Sequence, residues 1–350
     1  MKTLNQRVDC DKNYYDGSVT RVSHMMRLRL ALALVLRVAG ASYYDNASLS
    51  KHLDDVVPTF PRLPDAGLRK RSPFVVVATQ RTGSKWIMKT LRRQTCDVDA
   101  ESELFTDNHG WDQYNHREAI EAIFDQSLPL PASDGRQVVA QRFINRTRRE
   151  DGLGPVAYGF KWMLNQGMAE QWPWFLRLCA ARRVKLVFLH RRDYLRMAIS
   201  TKNLKNTALE AHPETEADLE AIRHSLVHLA TGPDLLEELG KYAAKFALMD
   251  AYRSDASRAG VETYRLVYED IAADHTMFHD VRDFLVKDLD LARSACRPER
   301  LMPLDNSTDV VIHSNRPSAY VANWRAVEAT LRGSRYQHLL GEDELRRRRT

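Results

Sequence analysis

Closely spaced cysteines are missing from this sequence. Its four cysteines lie far apart among 350 residues, at positions Cys10, Cys96, Cys179 and Cys296. Structural zinc sites use ligand pairs at short spacing, and small disulfide-stapled domains use many more cysteines. His224 and His228 are four residues apart, but no third ligand accompanies them. The sequence therefore predicts no metal site and no disulfide framework, and it assigns no redox compartment.

A long apolar run is missing as well. The most apolar stretch spans residues 25–41 and is interrupted by Arg27, Arg29 and Arg37, whereas a membrane-spanning helix needs about 20 predominantly apolar residues. No transmembrane span is predicted. Basic residues before a short apolar core are typical of a signal sequence or transit peptide. An amphipathic helix packed on the folded domain is an equally weighted interpretation of the same stretch. A cytoplasmic location is slightly favoured, with the lumen of the Golgi or another organelle left open by this segment.

The excess of positive charge is small. The net charge is +6, and part of it belongs to the run of arginines at residues 346–349. Nucleic-acid-binding domains concentrate basic residues on one face, so no nucleic-acid partner is predicted. A length of 350 residues with 44% hydrophobic content suits one large α/β domain. The predicted division is an N-terminal extension (1–70), a folded domain (71–342) and a basic tail (343–350).

The most informative stretch is Phe74–Gln94, which reads FVVVATQRTGSKWIMKTLRRQ. Its first five residues are apolar and mostly β-branched, which predicts a buried strand. A polar turn follows, and then Trp86, Ile87 and Leu91 lie near helical spacing. The pattern therefore predicts a strand, a short loop and the start of a helix.

The loop in this stretch suits an anion. The first N–H groups of a helix have no partner within the helix and carry partial positive charge. Gly83 allows a ligand to approach the backbone closely, and Arg81, Thr82, Ser84 and Lys85 surround that approach with hydrogen-bond donors. The loop is therefore predicted to bind phosphate or sulfate, with an ordinary glycine turn of an α/β protein as the alternative.

This loop departs from the P-loop of nucleoside-triphosphate-binding proteins. That pattern places a glycine, separated by four residues, before Gly-Lys-Ser/Thr. Here Ala78 stands at the first glycine position, and the order after it is Gly-Ser-Lys. Trp86 replaces the Ser/Thr that would hold a magnesium ion. An ATPase is therefore disfavoured.

A second strand, basic turn and helix are predicted further along the chain. Val184–Leu189 reads as a buried strand and leads into Arg191 and Arg192. Parallel strands joined by helices bring such turns to one edge of a sheet, where open α/β sheets bind ligands. With a helix beginning near Asp193, Ser200 lies roughly 10 Å further along its axis. Arg192 and Ser200 are therefore candidates for a second phosphate, and surface ion pairs with acidic side chains are the alternative for the two arginines.

Further elements complete the predicted fold, which is a three-layer α/β fold with a central, mainly parallel sheet flanked by helices. Val156–Met163, with Lys161 near its end, and Tyr264–Tyr268 are predicted strands. Residues 96–111 are predicted to form a return loop at the sheet edge that carries acidic side chains, and residues 137–144 stay undecided between helix and strand. Helices are predicted over 119–124, 172–182, 272–285 and 325–331. Two helical stripes of core residues are predicted: Leu219, Ile222, Leu226 and Leu229, and Leu239, Tyr242, Phe246 and Met249.

The motifs resemble those of sulfotransferases that use 3′-phosphoadenylyl sulfate (PAPS). Arg81-Thr82-Gly83-Ser84 resembles the 5′-phosphosulfate loop of carbohydrate-type members, and an arginine followed eight positions later by Ser200 is similar to the 3′-phosphate motif of the family. Tyr268-Glu269-Asp270-Ile271 resembles a Tyr-Glu-Asp-Leu stretch, and Asn323-Trp324 resembles a C-terminal segment of the family. The resemblance covers residues 73–340 and is closer to the carbohydrate and nodulation-type enzymes, with their P-loop-NTPase-like fold, than to the cytosolic group.

The resemblance implies a role for each matching residue. Arg81 would lie beside the transferred sulfonate, Thr82–Lys85 would hold the 5′-phosphate, and Trp86 would stack on adenine. Arg192 and Ser200 would bind the 3′-phosphate. The co-substrate would be PAPS, and no metal would be required because side chains supply the positive charge.

The remaining roles are a base and further cations. The Glu-Leu-Phe that begins at Glu103 looks like an acidic motif of the family, so Glu103 is the predicted base, with Glu101 and His109 left open. Lys161 is a predicted extra contact to the sulfonate, and Arg316 would close over the nucleotide from the C-terminal loop. The sequence departs from the cytosolic group, which has a lysine in place of Arg81 and a catalytic histidine that has no match here.

The resulting prediction is an enzyme that moves a sulfonate group from PAPS to a hydroxyl or amine of a carbohydrate or small-metabolite acceptor by in-line displacement. A nucleotide-dependent kinase of the P-loop class and a non-catalytic nucleotide-binding protein are the alternatives. Sugars, steroids, polyketides and small polar metabolites all stay open as acceptors. The oligomeric state is not predicted.

Overall fold

The computed structural model describes residues 71–94, 97–105, 113–125, 135–147, 156–207, 226–289 and 317–341. The predicted N-terminal extension and basic tail lie outside these residues. So do His109, His224, Leu219, Ile222 and Arg316. The domain boundaries therefore stay a prediction.

Five parallel strands form one sheet at the centre of the described residues. They are β1 (Ser72–Ala78), β2 (Val98–Glu103), β3 (Ala157–Met163), β4 (Lys185–His190) and β5 (Thr263–Val267), and their order across the sheet is β2-β3-β1-β4-β5. Every residue of β1, β3 and β4 is buried, as expected for a parallel sheet covered on both faces. The predicted α/β fold class is confirmed.

The helices connect and flank these strands. They are α1 (Ser84–Gln94), α2 (Gln113–Asp125), α3 (Gly135–Thr147), α4 (Ala169–Arg182), α5 (Tyr194–Thr207), α6 (Gly232–Arg258), α7 (Tyr268–Ala273), α8 (Met277–Val286) and α9 (Trp324–Leu331). A π-helical turn, Leu164–Met168, joins β3 to α4. No helix of the described part of the chain is both long enough and apolar enough to span a membrane.

The alternation of side chains along β1 divides the core into two layers. Val75 and Val77 pack into one hydrophobic cluster with Phe175 of α4 and Phe246 of α6. The intervening residues Phe74, Val76 and Ala78 pack into a second cluster with residues of α1 and α8, among them Ile87, Leu91, Phe278 and Leu285. Since successive strand residues point to opposite faces, helices cover both faces, which gives the predicted three layers.

Most predicted elements agree with the structure within a few residues. The strands expected at 74–78, 156–163, 184–189 and 264–268 correspond to β1, β3, β4 and β5, and the undecided stretch 137–144 is helical in α3. The predicted stripe of α6 is buried at all four positions. The helix expected at 272–285 is instead two helices, α7 and α8, and the Asp274 carboxylate accepts the backbone N–H of Thr276 at 2.9 Å between them.

Two predictions are wrong. Residues 98–103, expected in a return loop, form the edge strand β2, where Arg146 forms ion pairs with Asp99 and Glu101 and so offsets the acidic side chains. Leu226, expected on a buried helical stripe, is 64% exposed and lies outside any helix. Only Leu229 of that stripe is described as buried.

The parallel arrangement brings five strand ends together. β1 pairs with β3 on one side and with β4 on the other, in register from Phe74 opposite Lys185 to Val77 opposite Phe188. The turns that follow β1 and β4 are therefore neighbours at the carboxyl edge of the sheet, as predicted. Open α/β sheets bind their ligands at this edge.

Candidate active site at the carboxyl edge of the sheet

The turn after β1 has the local geometry of an anion-binding loop. Arg81 and Gly83 both have positive φ, 66° and 77°, which turns the backbone sharply before α1 begins at Ser84. The hydroxyl of Thr82, a fully buried residue, donates to the Thr79 carbonyl at 2.8 Å and fixes the turn. The N–H groups at the start of α1 therefore face the carboxyl edge of the sheet, where the helix dipole favours negative charge.

Gly83 is required at its position by a neighbour as well as by its backbone angle. A Cβ placed on Gly83 would lie 2.2 Å from Cε2 of Tyr268. Tyr268 is the first residue of α7, directly after β5. The turn after β1 thus packs directly against the end of β5.

Lys161 and Glu103 form an ion pair beside this turn. The Lys161 Nζ donates to Glu103 Oε1 at 2.5 Å, and the Lys161 side chain is only 1% exposed. The Gln166 amide donates to the other oxygen, Glu103 Oε2, at 3.2 Å, and the Gln166 side-chain oxygen accepts the Met163 backbone N–H at 3.1 Å. Lys161 of β3 and Gln166 of the π-helical turn after it therefore hold the Glu103 carboxylate, one at each oxygen.

Several positive charges converge at this point. Burial lowers the pKa of Lys161, the Glu103 carboxylate opposes this effect, and the nearby cations Lys85 and Arg81 lower the pKa further. Burial also lowers the pKa of Arg81, against the opposing influence of Tyr242 and Glu103. Three cations placed this close to one carboxylate leave an excess of positive charge, which an anionic ligand can neutralise.

Arg191 joins the two basic turns. Its Nη1 donates to the Arg81 carbonyl at 2.8 Å, and its guanidinium lies 4.4 Å from the centre of the Tyr268 ring. The Glu269 carboxylate lies 3.8 Å from the Arg191 Nε. The turn after β1, the turn after β4 and the start of α7 are therefore one connected structure.

Arg192 lies at the second turn in a different setting from Arg191. It is exposed and forms an ion pair with Asp270. Glu269 accepts the backbone N–H of Arg192 at 3.0 Å and that of Asp193 at 3.0 Å. The carboxylates of α7 thus contact both the side chain and the backbone of this turn.

Two other predicted site residues, Ser200 and Trp86, lie on helices that follow the two turns. Ser200 is half-buried on α5, within the helix that begins after the second turn. Trp86 is half-buried on α1, with its ring edge-on to Tyr268 and Phe278 at centroid distances of 5.7 Å and 5.6 Å. Arg316 belongs to the residues that are not described. Among the described residues, no cluster of three or more His, Cys, Asp or Glu side chains could hold a metal ion.

Comparison with known proteins finds a likeness among solved structures. No protein-family model matches the sequence, and no curated protein matches it. Among solved structures, the chain is similar to the crystal structure of mouse sulfotransferase SULT7A1 complexed with PAP. The TM-score is 0.34 and the sequence identity 13%, with 84% of this chain and 92% of the other chain covered. A likeness of this size identifies neither the family nor the activity of the chain.

Sequence reasoning misses two residues that the structure places at the site. It assigns Tyr242 to the core stripe of α6, yet Tyr242 also influences the pKa of Arg81. It gives Arg191 no role beyond a surface ion pair, yet Arg191 holds the backbone of the turn after β1. No feature of the sequence marks Tyr242 as a site residue, because it fits the apolar stripe of α6. Two adjacent arginines likewise do not show which side chain turns into the site.

Proposed function

We propose that this chain is a sulfotransferase that moves a sulfonate group from PAPS to a hydroxyl-bearing acceptor. The observation that carries the proposal is the link between two basic turns on adjacent parallel strands through the Arg191 contact to the Arg81 carbonyl. PAPS carries a 5′-phosphosulfate and a separate 3′-phosphate, so it offers an anion to each turn. A single phosphate would leave one of the two turns unused.

The first turn would bind the reacting end of the donor. The N–H groups at the start of α1, together with Thr82, Ser84 and Lys85, would hold the 5′-phosphate. Arg81 and Lys161 would contact the sulfonate oxygens. Trp86 would stack on the adenine. The 3′-phosphate would be bound by Arg192, Ser200 and Arg316.

The reaction is an in-line displacement at sulfur. The acceptor oxygen forms a new bond to sulfur while the bond between sulfur and the bridging phosphate oxygen breaks, and the electron pair of that bond remains on the phosphate. Adenosine 3′,5′-bisphosphate leaves. Negative charge grows on the leaving phosphate and the sulfonate oxygens, where the fixed cations Arg81, Lys85 and Lys161 stabilise it.

Glu103 is the proposed base that takes the acceptor proton. It ends β2 beside the cationic group, and Lys161 and Gln166 fix the position of both its oxygens. Glu101, the other acidic candidate on this strand, is engaged elsewhere, since one oxygen accepts the Ser102 N–H at 3.0 Å and the other lies 2.8 Å from Arg146. Both carboxylates therefore have partners, but Glu103 is the one that interacts with Arg81 and Lys161, which supports Glu103 as the base.

Binding and turnover separate this proposal from its alternatives. The purified chain is expected to bind adenosine 3′,5′-bisphosphate by calorimetry without magnesium, and to transfer label from PAPS to an acceptor in a panel of glycans and small alcohols. A kinase would instead require ATP and magnesium. A chain that shows no affinity for the bisphosphate contradicts the proposal.

Glu103→Gln tests the base. This variant is expected to bind the bisphosphate as the wild type does and to lose about 10²–10⁴-fold in turnover, the range for general base catalysis. Glu101→Gln is the matched control on the same strand and should keep its turnover. Unchanged transfer by Glu103→Gln would reject the base assignment and leave the nucleotide site in place.

A further inference from the structure

The turn after β3 carries a buried glutamine next to Glu103. Gln166 belongs to the π-helical turn Leu164–Met168 and is 7% exposed. Its backbone angles, φ −100° and ψ 40°, are not helical, and its carbonyl accepts the indole N–H of the fully buried Trp162 at 3.0 Å. The chain therefore turns at Gln166, and a side chain of the core fixes the position of this turn.

The orientation of the Gln166 amide follows from its two partners. On one side lies the backbone N–H of Met163, 3.1 Å from Gln166 Oε1. Because this N–H can only donate, the side-chain oxygen must face it. The Nε2 group then faces Glu103 Oε2, at 3.2 Å, and an ionised carboxylate can only accept. The Gln166 side chain therefore presents a donor to Glu103 and cannot be reversed without losing both contacts.

A shift in strand register brings Glu103 to this position. In the pairing of β2 with β3, Glu101 lies opposite Phe160 and Glu103 lies opposite Lys161, so Ser102 is an extra residue in β2. Side chains alternate between the two faces of a sheet, and without this shift Ser102 would stand beside Lys161. Such irregularities re-aim side chains next to active sites. The shift therefore places a carboxylate, instead of a hydroxyl, between Lys161 and Gln166.

The two groups that hold Glu103 differ in what a bound donor does to them. The Lys161 Nζ lies 2.5 Å from Glu103 Oε1, and the same ammonium group is proposed to contact the sulfonate. A bound sulfonate therefore competes with Glu103 for the N–H groups of Lys161. The Gln166 amide carries no net charge, so the sulfonate does not draw it away from Glu103. The contact from Gln166 is thus the one that persists while the donor is bound.

We propose that Gln166 is a positioning residue for the transfer. It holds the Glu103 carboxylate in the orientation from which that carboxylate takes the acceptor proton, and it does so while Lys161 turns to the sulfonate. Gln166 itself takes no proton, because an amide does not titrate in this range, so it acts through Glu103. This inference rests on the proposed function and on Glu103 as the base.

The first experiment compares kcat with KM in the Gln166→Met variant. Methionine has a similar volume and length but cannot make either amide contact. The kcat for transfer from labelled PAPS is expected to fall about 10–100-fold, because the base loses a hydrogen bond that positions it. The acceptor KM and the affinity for adenosine 3′,5′-bisphosphate are expected to stay unchanged. An unchanged kcat overturns the proposal.

Gln171→Met is the matched control. Gln171 is a second buried glutamine, 2% exposed on α4, and its Nε2 would lie 3.8 Å from a Cβ placed on Gly167 of the same turn. Its amide faces His116, with 3.4 Å between Gln171 Nε2 and His116 Nδ1. This variant is expected to keep its kcat. An equal fall in both variants would show that turnover responds to any repacking around the turn, which overturns the proposal.

A double-mutant cycle tests whether Gln166 acts through Glu103. In the Glu103→Gln background, Gln166→Met is expected to cause little further fall in kcat, because the two residues act as one unit. A further fall as large as that in the wild-type background would show that Gln166 acts independently of the base, which overturns the proposal.

The same four chains are compared by urea denaturation, which needs no substrate. The two substitutions are expected to change the free energy of unfolding non-additively, as for residues in contact, and strictly additive changes overturn the proposal. A wild type that neither binds the bisphosphate nor transfers sulfonate overturns the proposed function instead, and the denaturation cycle still tests the contact between Gln166 and Glu103. A wild type that transfers sulfonate, with full kcat in Gln166→Met, overturns the role of Gln166 alone.

Discussion

At the scale of single residues, Gly83 shows how one position can be constrained twice. Its φ is +77°, and a Cβ there would lie 2.2 Å from Tyr268 Cε2. The left-handed backbone costs a non-glycine residue about 1–2 kcal/mol, and a clash in a packed region costs about 1–3 kcal/mol more. Gly83→Ala is therefore expected to lower the free energy of unfolding by about 2–5 kcal/mol, measured by urea denaturation.

Gly260 provides the control for this prediction. Its φ is +75°, but no atom lies within 4 Å of a Cβ placed there. Gly260→Ala should therefore lose only about 1–2 kcal/mol, the cost of the backbone angle. Equal losses in the two variants would show that Tyr268 does not restrict the turn after β1.

The lowered pKa of Lys161 leads us to expect that turnover depends on pH. Burial and the neighbouring cations lower its pKa below the ordinary value of 10.5, so its ammonium group loses its proton at a lower pH than an exposed lysine does. Since the neutral amine no longer stabilises the sulfonate charge, turnover should fall on the alkaline side with a midpoint below 10.5. A profile of turnover against pH measures this.

The Lys161→Met variant identifies the group that titrates. Its turnover should be low and should lack this alkaline decline. The same decline in Lys161→Met would assign the titration to another group.

At the scale of elements, the two neighbouring arginines after β4 have different tasks. Arg191 holds the Arg81 carbonyl and lies over Tyr268, whereas Arg192 is exposed and pairs with Asp270. Arg191→Gln should therefore weaken binding of both adenosine 3′,5′-bisphosphate and adenosine 5′-monophosphate, by about tenfold, since the turn after β1 loses a charge-assisted hydrogen bond. Calorimetry on both nucleotides measures this.

Arg192→Gln is the matched comparison. Because Arg192 is proposed to bind only the 3′-phosphate, this substitution should weaken binding of the bisphosphate and leave the affinity for the monophosphate unchanged. If both variants weaken binding of both nucleotides equally, the separate roles proposed for Arg191 and Arg192 are wrong.

The sequence predicts those elements whose pattern is local. Val75–Val77 are apolar and β-branched, so β1 can be recognised without its neighbours, and the polar turn and the helix after it follow from local signals. The same holds for β3, β4 and α6. The two turns also follow from the sequence, because parallel strands bring their carboxyl ends together.

What the sequence does not predict depends on distant partners. The strand β2 contains Asp99, Glu101 and Glu103, which argue against a strand until Arg146 and Lys161 are placed beside them. The inward turn of Arg191 depends on the Tyr268 ring, which follows the neighbouring strand β5 but lies more than 70 residues further along the chain. Tertiary contacts override local preference at these positions.

At the scale of the whole molecule, His190 couples folding stability to pH. Burial lowers its pKa to about 4, with Arg265 and Arg253 adding to the effect and Asp250 opposing it. Between about pH 4 and 6.5 the unfolded chain therefore binds a proton that the folded chain does not. The free energy of unfolding should fall as the pH is lowered through this window, by at most about 3 kcal/mol and by less where solvent screens the charge.

His190→Phe tests this linkage, because a phenyl ring can still stack on Phe246 and does not titrate. Urea denaturation between pH 4 and 7 should show a weaker dependence on pH in this variant. His279→Phe is the control, since His279 is exposed on α8. A change in His279→Phe as large as that in His190→Phe would contradict the assignment.

The sheet order has a consequence for how the chain assembles. Of the described strands, β1 is the first to be synthesised, yet it lies between β3 and β4, and Ser72 pairs with Ala157 while Phe74 pairs with Lys185. Until those later segments emerge, the nascent β1 has two open edges, which are templates for pairing with other chains. Fragments that end before residue 157 should therefore aggregate, and expression of the protein as two halves cut ahead of β3 should yield no soluble N-terminal piece.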